Sequence, residues 1–550
     1  MERNVSRLGL PMLAKVLILL LVIGSVSAGV VIKAARPGGY PLLIDATIKT
    51  LTEGLECNKF TSVDLVRAYL ARIAEVNNTF HAVTEVNPDA LAIATALDTE
   101  RSTGSIRGPL HGIPILIKNL IATNDKMNNT AGSWALVGAK VPRDSTVAKK
   151  LRAAGAILLG KANLSEWANA RSSNSTDGWS ALGGQVYGPY YPNQDPSGSS
   201  SGSAVATALG LATGTLGTET DGSIISPASF NNVVGIKPTV GLTSRYLVIP
   251  ISEHQDTVGP LARTVKDAAI ILQAIAGTDP RDNYTSVIPG GAAPDYVAAC
   301  KYSALSGVRI GIPRNVISMS DAKYAPMIAA FEKAVKVLRH AGATVVDDTN
   351  FTAAAEFLNS NLPQVVINAD IAVDLKKYFD SLTYNPRNIT SLASLRDFTR
   401  SFSLEDYPDR DTGQWDEALE TWNNTDPQFW PAYQQNLYYG GEGGLLGAIK
   451  RHNLDAVILP SELSSDWAAA VGSPIVSVPM SSYPAGTPVE SNDRGLVESA
   501  PNMPFGLGFL GERFTEERLI GMAYAFEQRT KVRDKVLPYL KPSVELADIV

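Results

Sequence analysis

Serines clustered among glycines are the first feature of this 550-residue sequence that could do chemistry. Residues 198–202 read Gly-Ser-Ser-Ser-Gly and match the Gly-x-Ser-x-Gly pattern of a nucleophile elbow, in which Ser200 would be the nucleophile. That elbow requires a buried strand directly before the serine. Residues 190–197 instead contain Pro192 and Pro196 and little apolar character. An esterase that uses Ser200 with a distant histidine is therefore kept only as an alternative.

A wider set of motifs places Lys118, Ser199 and Ser223 in a common pattern. Lys118 ends an apolar run, Ser199 lies in the Gly/Ser segment, and Ser223 follows a Gly/Thr-rich segment 24 residues after Ser199. The three segments that carry the pattern are 108–119, 196–204 and 217–228. Shorter matching stretches occur at 130–133, 160–166, 235–239, 311–313 and 527–530.

Taken together, these motifs resemble the amidase signature family over about residues 45–535. The resemblance implies hydrolysis of a small-molecule carboxamide through an acyl-enzyme, with release of ammonia or an amine and without a metal or organic cofactor. It also implies that Ser223 is the nucleophile, that Ser199 follows a cis peptide from Gly198 and relays a proton, and that Lys118 is the base.

The residue types suit that chemistry. A serine hydroxyl is a poor nucleophile until a neighbouring base takes its proton. A lysine can be this base only if burial lowers the pKa of its ammonium group. Lys118 follows the apolar run 113–117, which we expect to be a buried strand.

The resemblance extends to supporting residues. The backbone N–H groups of Thr220, Asp221, Gly222 and Ser223 would bind the oxyanion of the tetrahedral intermediate. Ser133 and Thr218 would hold Ser199 and its loop by hydrogen bonds.

The sequence departs from the common family pattern at three positions. Asp221 stands where a glycine is usual, Ile225 replaces an arginine, and Asn119 replaces a frequent aspartate after Lys118. We expect only the N–H of Asp221 to face the site. The missing arginine argues against small anionic substrates.

Helices and strands that alternate along the chain must position these residues. Thr61 to Asp64 reads as a capping box, residues 145–154 and 203–212 as helices, and 156–159, 308–312 and 456–459 as buried strands. The rhythm favours an α/β fold with a mostly parallel sheet. The resemblance implies a mixed central sheet of about eleven strands with helices on both faces, in a single domain over residues 29–550.

Residues 373–440 are rich in aromatic side chains and form an expected helical insertion. Those aromatics could line an apolar substrate cleft or could pack the insertion onto the main domain. The first reading favours bulky or apolar acyl groups, although the substrate itself stays open.

The N-terminus predicts export. Positive residues precede a short apolar run, and small residues end at Ala28, so we expect a signal peptide over residues 1–28 and a secreted protein. An uncleaved membrane anchor over residues 16–32 is the alternative. Eight Asn-x-Ser/Thr sequons after residue 28 agree with a secreted glycoprotein, and Cys57 and Cys300 could form a disulfide or stay free.

Composition excludes several classes of protein. The net charge of −6, from 48 basic and 54 acidic residues, argues against a nucleic-acid partner. None of the five histidines has a metal-ligand spacing. Two further alternatives are an amidotransferase-like subunit, of the kind found in glutamyl-tRNA amidotransferases, and a catalytically silent binding protein on the same fold. The oligomeric state is open.

Overall fold

The computed structural model describes residues 39–318 and 324–550. The predicted signal peptide over residues 1–28 and the alternative anchor over residues 16–32 lie outside these ranges. Across the described part of the chain, no helix combines the length and the apolar character needed to cross a membrane.

The fold is α/β, with a central sheet of eleven strands flanked by helices, as the resemblance implied. The strands of the described chain are β1 Val83–Val86, β2 Pro114–Lys118, β3 Ile157–Ala162, β4 Trp179–Ser180, β5 Gly184–Gln185, β6 Gly214–Glu219, β7 Val234–Lys237, β8 Thr257–Ala262, β9 Arg309–Gly311, β10 Thr344–Val346, β11 Ala456–Pro460, β12 Ile475–Ser482, β13 Glu490–Ser491, β14 Val497–Ser499 and β15 Pro504–Leu510. Strand order in the large sheet is β1-β3-β2-β6-β8-β7-β12-β15-β11-β9-β10, while β4-β5 and β13-β14 form separate pairs.

The sheet is mixed, so the prediction of a mostly parallel sheet is wrong. Parallel pairing joins β3 to β2 to β6 at one end and β11 to β9 to β10 at the other. The intervening strands and the edge strand β1 pair antiparallel. The alternation of strands and helices on which the prediction was based is typical of parallel sheets, and it applies only to these two parallel regions.

Helices cover the sheet and form the insertion. Their bounds are α1 Ile48–Glu56, α2 Ser62–Phe80, α3 Ala90–Ser102, α4 Thr146–Ala153, α5 Ser201–Leu209, α6 Ile225–Phe230, α7 Val265–Ile275, α8 Arg314–Ser318, α9 Ala325–His340, α10 Ala354–Phe357, α11 Leu362–Asp380, α12 Leu392–Ser401, α13 Gly413–Glu420, α14 Phe429–Gly440, α15 Leu445–His452, α16 Ser465–Ala469 and α17 Glu516–Thr530. The capping box predicted at Thr61 is confirmed at the start of α2, where Thr61 and Asp64 bond each other's backbone.

The predicted elements around the site are present, with one omission. Strands β2, β3, β9 and β11 and helices α4 and α5 lie within a few residues of their predicted positions. Strand β6, in contrast, is not predicted from the sequence, because its residues are mostly Gly and Thr and show no apolar pattern. Its small side chains leave room for α5, a fully buried helix of small residues that packs directly on it.

The aromatic residues of the insertion pack it onto the rest of the chain. Trp415 is fully buried and meets Trp167 edge to face at 5.8 Å between ring centroids. Phe429 is buried among Tyr433 and Trp422. The packing interpretation therefore holds for these anchors, and the inference toward apolar acyl groups loses its basis.

The two cysteines are not bonded to each other. Cys57 is exposed, and Cys300 is partly buried and free. A disulfide between them is absent from the described structure.

Candidate active site

Lys118 ends β2 inside the protein, with no exposed surface. Its Nζ lies 2.8 Å from Ser199 Oγ, 3.0 Å from Ser200 Oγ and 3.2 Å from the carbonyl oxygen of Thr218. A neutral amine has two N–H groups and one lone pair, so it can donate to Ser200 and Thr218 and accept from Ser199.

The environment of Lys118 favours this neutral form. Burial lowers the pKa of its ammonium group from 10.5 to about 7, and the negative charges of Glu219 and Asp256 offset only part of the shift. The contacts within reach of Nζ are hydroxyl and carbonyl groups rather than carboxylates. Near neutral pH, a large share of the protein therefore carries an uncharged amine that can take a proton.

Ser199 and Ser223 continue the chain of contacts from Lys118 toward an open cleft of about 600 Å³ that Ser223 lines. The peptide between Gly198 and Ser199 is cis. Ser199 Oγ lies 2.9 Å from Ser223 Oγ, and Ser199 is fully buried whereas Ser223 retains a small exposed area that lines the cleft. Since hydroxyl protons rotate freely between acceptors, the proton of Ser223 can point to Ser199 Oγ and the proton of Ser199 to Lys118 Nζ. Only Ser223 can then meet a substrate.

The parallel pairing of β2 with β6 explains why these residues meet. Ile115 to Ile117 of β2 face Gly214 to Leu216 of β6 in register, so the carboxyl ends of both strands reach the same edge of the sheet. Lys118 is the last residue of β2, and Ser223 lies in the loop between β6 and α6. Backbone N–H of Ser200 donates to the carbonyl of Ser223 at 3.0 Å and ties the two serine loops together.

Two glycines are required by the close approach of these loops. A Cβ atom on Gly198 would lie 2.4 Å from both Asp177 Oδ1 and Ser165 Oγ. A Cβ atom on Gly217 would lie 2.7 Å from Ser200 Oγ. Real Cβ atoms do not approach other atoms so closely, and the packed surroundings leave little room to shift. The Gly/Ser composition therefore reflects packing around Lys118 rather than a flexible linker.

Ser200 does not stand in the position of a nucleophile. Its Oγ is buried, contacts Lys118 Nζ and donates to the carbonyl of Thr218 at 3.1 Å. Among the histidines, His254 is held by Asp370 and lies against Phe429 at 5.1 Å between ring centroids. The hydrogen bonds of Ser200 include none to a histidine of the described chain, so the esterase alternative lacks its base.

Thr218 and Ser133 make different contacts from those expected. Thr218 acts through its carbonyl, which accepts from Lys118 and Ser200 rather than from Ser199. Ser133 Oγ donates to Glu405 Oε1 at 2.7 Å. The expectation that Ser133 bonds Ser199 is therefore corrected, because a carboxylate from the insertion is the stronger acceptor within its reach.

Glu405 links the insertion to the loop that contains Ser133. Arg171 is buried between Glu166, at 2.8 Å, and Glu405, at 3.1 Å. Arg171 also donates to the carbonyls of Glu405 and Arg410. Burial and the neighbouring Glu405 raise the pKa of Glu166 well above its usual range. One cation thus holds two carboxyl groups and two loops in place.

Glu219, which the sequence reading did not single out as a site residue, shapes the loop before the candidate nucleophile. Its Oε2 accepts from the N–H groups of Ile224 and Ile225 at 2.7 and 2.9 Å. Glu219 therefore holds the turn that leads from Ser223 into α6. The sequence feature that could have identified Glu219 as a site residue is its acidic side chain four positions before Ser223.

The predicted oxyanion donors are the N–H groups of Thr220, Asp221, Gly222 and Ser223. Within the described ranges, no backbone acceptor is found for them. All four residues line the cleft. They are the groups in this loop that can donate to an oxyanion on a substrate bound at Ser223.

The surroundings of the unusual Asp221 disfavour its charged form. Burial and the nearby Asp466 raise the pKa of Asp221 well above its usual range. Burial also raises the pKa of Asp466. Both shifts reduce the tendency of position 221 to place negative charge beside the N–H groups that would bind an anion.

The chain matches known proteins over most of its length. The family model described as Amidase matches residues 64–520. A protein of Arthroderma benhamiae named "Putative amidase" is 54% identical over 532 residues, which cover 93% of this chain and 90% of that protein. The crystal structure of native peptide amidase from Stenotrophomonas maltophilia has a TM-score of 0.80 at 39% identity and covers 91% of this chain and 99% of that one.

One further relative bears on the amidotransferase alternative. A glutamyl-tRNA(Gln) amidotransferase subunit of Chloroflexus aurantiacus is 41% identical over 302 residues. That match covers 55% of this chain and 60% of the relative. The match to the amidotransferase subunit therefore covers a smaller share of both proteins than the match to the amidase of Arthroderma benhamiae.

Proposed function

Because this chain belongs to the amidase family and is a hydrolase that acts on amides, we propose that it cleaves them with Ser223, Ser199 and Lys118 as a catalytic triad. The observation that carries the proposal is the unbroken chain of contacts from Lys118 Nζ to Ser199 Oγ at 2.8 Å and from Ser199 Oγ to Ser223 Oγ at 2.9 Å. Of the two hydroxyl groups in this chain of contacts, that of Ser223 belongs to a residue that lines the cleft, and that of Ser199 does not.

Acylation starts with proton transfer along this chain. As Ser223 Oγ attacks the amide carbonyl, its proton passes to Ser199, whose own proton passes to the neutral amine of Lys118. The oxygen of the tetrahedral intermediate accepts from N–H groups of the loop formed by Thr220, Asp221, Gly222 and Ser223.

Collapse of the intermediate reverses the proton path. Lys118, now an ammonium, returns a proton through Ser199 to the leaving nitrogen, so that ammonia or an amine departs and an ester remains on Ser223. Water then loses a proton to the same relay and attacks this ester. The products are a carboxylic acid and the regenerated hydroxyl of Ser223.

Peptide-like carboxamides are the substrate class that we favour. The peptide amidase of Stenotrophomonas maltophilia supports this choice through its similarity over nearly the whole chain. The cleft supports it too, because a space of about 600 Å³ beside Ser223 is lined largely by polar side chains such as Asn361, Gln364 and Gln414. An extended chain of amide groups can find hydrogen-bond partners there.

The test uses the purified full-length chain and a neutral amide such as acetyl-norleucine amide. We expect ammonia release from the wild-type protein and, with hydroxylamine present, formation of the hydroxamic acid from an acyl-enzyme. Ser223→Ala should lower the rate by at least about a thousandfold without changing the circular dichroism spectrum. Ser201→Ala is the matched control, because Ser201 bonds the carbonyl of Ser197 and does not contact Lys118. Full activity in Ser223→Ala would remove this residue from the role of nucleophile.

We also propose export, on the sequence of residues 1–28 alone. N-terminal sequencing of protein recovered from the culture medium should find a start after Ala28. Recovery only from membranes, with residues 16–32 retained, would favour the anchor instead.

A further inference from the structure

The carboxylate of Asp256 bonds the oxyanion loop, residues 220–223, although it belongs to a different segment of the chain. The Thr220 hydroxyl donates to Asp256 Oδ1 at 2.6 Å. Strand register explains the contact, because Glu219 at the end of β6 pairs antiparallel with Thr257 at the start of β8. Thr220 and Asp256 are the next residues on these two strands, so they face each other just beyond the sheet.

The other oxygen of Asp256 holds a second part of the cleft wall. Oδ2 accepts from the backbone N–H groups of Ile251 at 2.8 Å and of Ser252 at 3.1 Å. Ile251 lines the cleft, as Thr220 does. One carboxylate therefore bonds a hydroxyl from the oxyanion loop and two N–H groups from the segment 251–256.

The carbonyl of Thr220 is held as well. Gln255 is buried, and its Nε2 donates to the Thr220 carbonyl oxygen at 3.4 Å. Thr220 and Asp221 are joined by a trans peptide, in which the C=O and the following N–H point in opposite directions. Because the Thr220 carbonyl is directed at Gln255, the N–H of Asp221 is turned to the other side of the loop.

Helix α11 of the insertion fixes the segment that carries Asp256. Asp370 of this helix accepts from Ser252 Oγ, and Asp374 Oδ2 accepts from the N–H of Glu253 at 2.7 Å. The same helix also lines the cleft. Asp256 therefore connects an element of the cleft wall to the oxyanion loop.

We infer that Asp256 is a positioning residue for the proposed reaction, which holds Thr220 so that the N–H groups of the oxyanion loop stay directed at the reacting carbonyl oxygen. The inference rests on the proposed function, since it assigns that carbonyl to Ser223. It assigns Asp256 no proton transfer. Donors fixed in place before the reaction stabilise the developing charge without reorganisation, and displacing them by an ångström can cost about a hundredfold in rate.

The experiment breaks the contact from either side, as Asp256→Ala and as Thr220→Val, which keeps the backbone N–H and the shape of the side chain. The assay measures hydrolysis of acetyl-norleucine amide at about pH 8.5, where Lys118 is mostly neutral. Each variant should lower kcat by about tenfold to a hundredfold with KM within about threefold of wild type, because the oxyanion forms only after the amide has bound. An unchanged kcat, or a change confined to KM, overturns the inference.

A double variant tests whether the two residues act through one contact. Asp256→Ala/Thr220→Val should lose little more than either single variant, because both substitutions remove the same hydrogen bond. If Asp256 only held the segment 251–256, the two losses would multiply instead. That outcome overturns the inference.

A conservative variant and a matched control separate positioning from stability. Asp256→Asn should recover most of the lost kcat, because its Oδ1 can still accept from the two N–H groups while its Nδ2 donates to Thr220 Oγ1. Asp279 is a buried carboxylate that bonds the hydroxyls of Thr146 and Ser244 and does not line the cleft. Asp279→Ala should lower the free energy of unfolding and leave kcat within about threefold of wild type.

Binding of a boronic acid distinguishes this inference from the proposed function. The analogue of acetyl-norleucine amide with a boronic acid in place of the carboxamide forms a tetrahedral adduct with a serine nucleophile, so it mimics the intermediate. Calorimetric titration should find about tenfold or greater loss of affinity in Asp256→Ala and Thr220→Val. Hydrolysis by the wild type with equal boronate affinities in all variants overturns the inference alone. Neither hydrolysis nor boronate binding by the wild type would refute the triad, and the inference with it.

Discussion

The acid limb of the pH–rate profile tests the role of Lys118 most directly. Burial lowers the pKa of its ammonium group to about 7. Since only the neutral amine can accept the proton from Ser199, kcat/KM should rise with pH through about 7 and then level off. Roughly one tenth of the lysine is neutral at about pH 6 and nine tenths at about pH 8, so the rise between them should be about tenfold.

An ordinary lysine would behave differently over the same interval. With the reference pKa of 10.5, the neutral fraction would grow tenfold for each pH unit, so the rate would rise about a hundredfold with no plateau. The assay is ammonia release from acetyl-norleucine amide at substrate concentrations far below KM. This substrate does not titrate in the range. Circular dichroism at each pH checks that the fold is unchanged.

Titration of Asp256 could also produce a rise of kcat/KM with pH in this range. Burial raises the pKa of Asp256 to about 6, and its Oδ1 accepts from the Thr220 hydroxyl in the oxyanion loop. In Asp256→Asn the limb should persist and move toward lower pH, because the charge that raises the pKa of Lys118 is gone. A limb that vanishes in this variant, or a hundredfold rise in the wild type, would refute the assignment of the base.

Three further substitutions probe the surroundings of the triad. Gly198→Ala should destabilise the protein by about 1–3 kcal/mol in urea unfolding, because its Cβ would lie 2.4 Å from Asp177 Oδ1, and unchanged stability would disprove the packing argument. Asp221→Gly should match or exceed the wild-type kcat/KM on the plateau above about pH 7, because it removes a carboxyl group beside the oxyanion donors, and a rate below about a tenth of wild type would contradict this. Arg171→Met should cost about 3–5 kcal/mol, because it leaves Glu405 buried without its cation, and a loss below about 1 kcal/mol would show that the carboxyl groups find other partners.

The sequence allowed more of the active site to be predicted than of the central sheet. Lys118, Ser199 and Ser223 could be named because the motifs around them are local and ordered along the chain. Strand β6, which positions Ser223, was missed because Gly and Thr residues show no apolar pattern. Its strand conformation depends on neighbours β2 and β8, which complete its hydrogen bonds.

Contacts between distant segments account for the corrections. Ser133 bonds Glu405, which lies 272 residues further along the chain. Glu219 accepts from the N–H groups of Ile224 and Ile225 because the loop folds back over its side chain. No spacing rule relates such positions, since the packing of the insertion and of the loop decides which acceptor is within reach.

By itself, the sequence determined the order of the motifs, the residues able to form a serine-lysine relay, and the buried run that ends in Lys118. Only the tertiary structure decided which of the adjacent serines faces Ser223, which amides can bind an oxyanion, and that carboxyl groups from separate segments of the chain line one cleft. The physical reason is that residue type limits the chemistry a side chain can do, whereas burial, distance and the sign of neighbouring charges arise only when remote parts of the chain pack together.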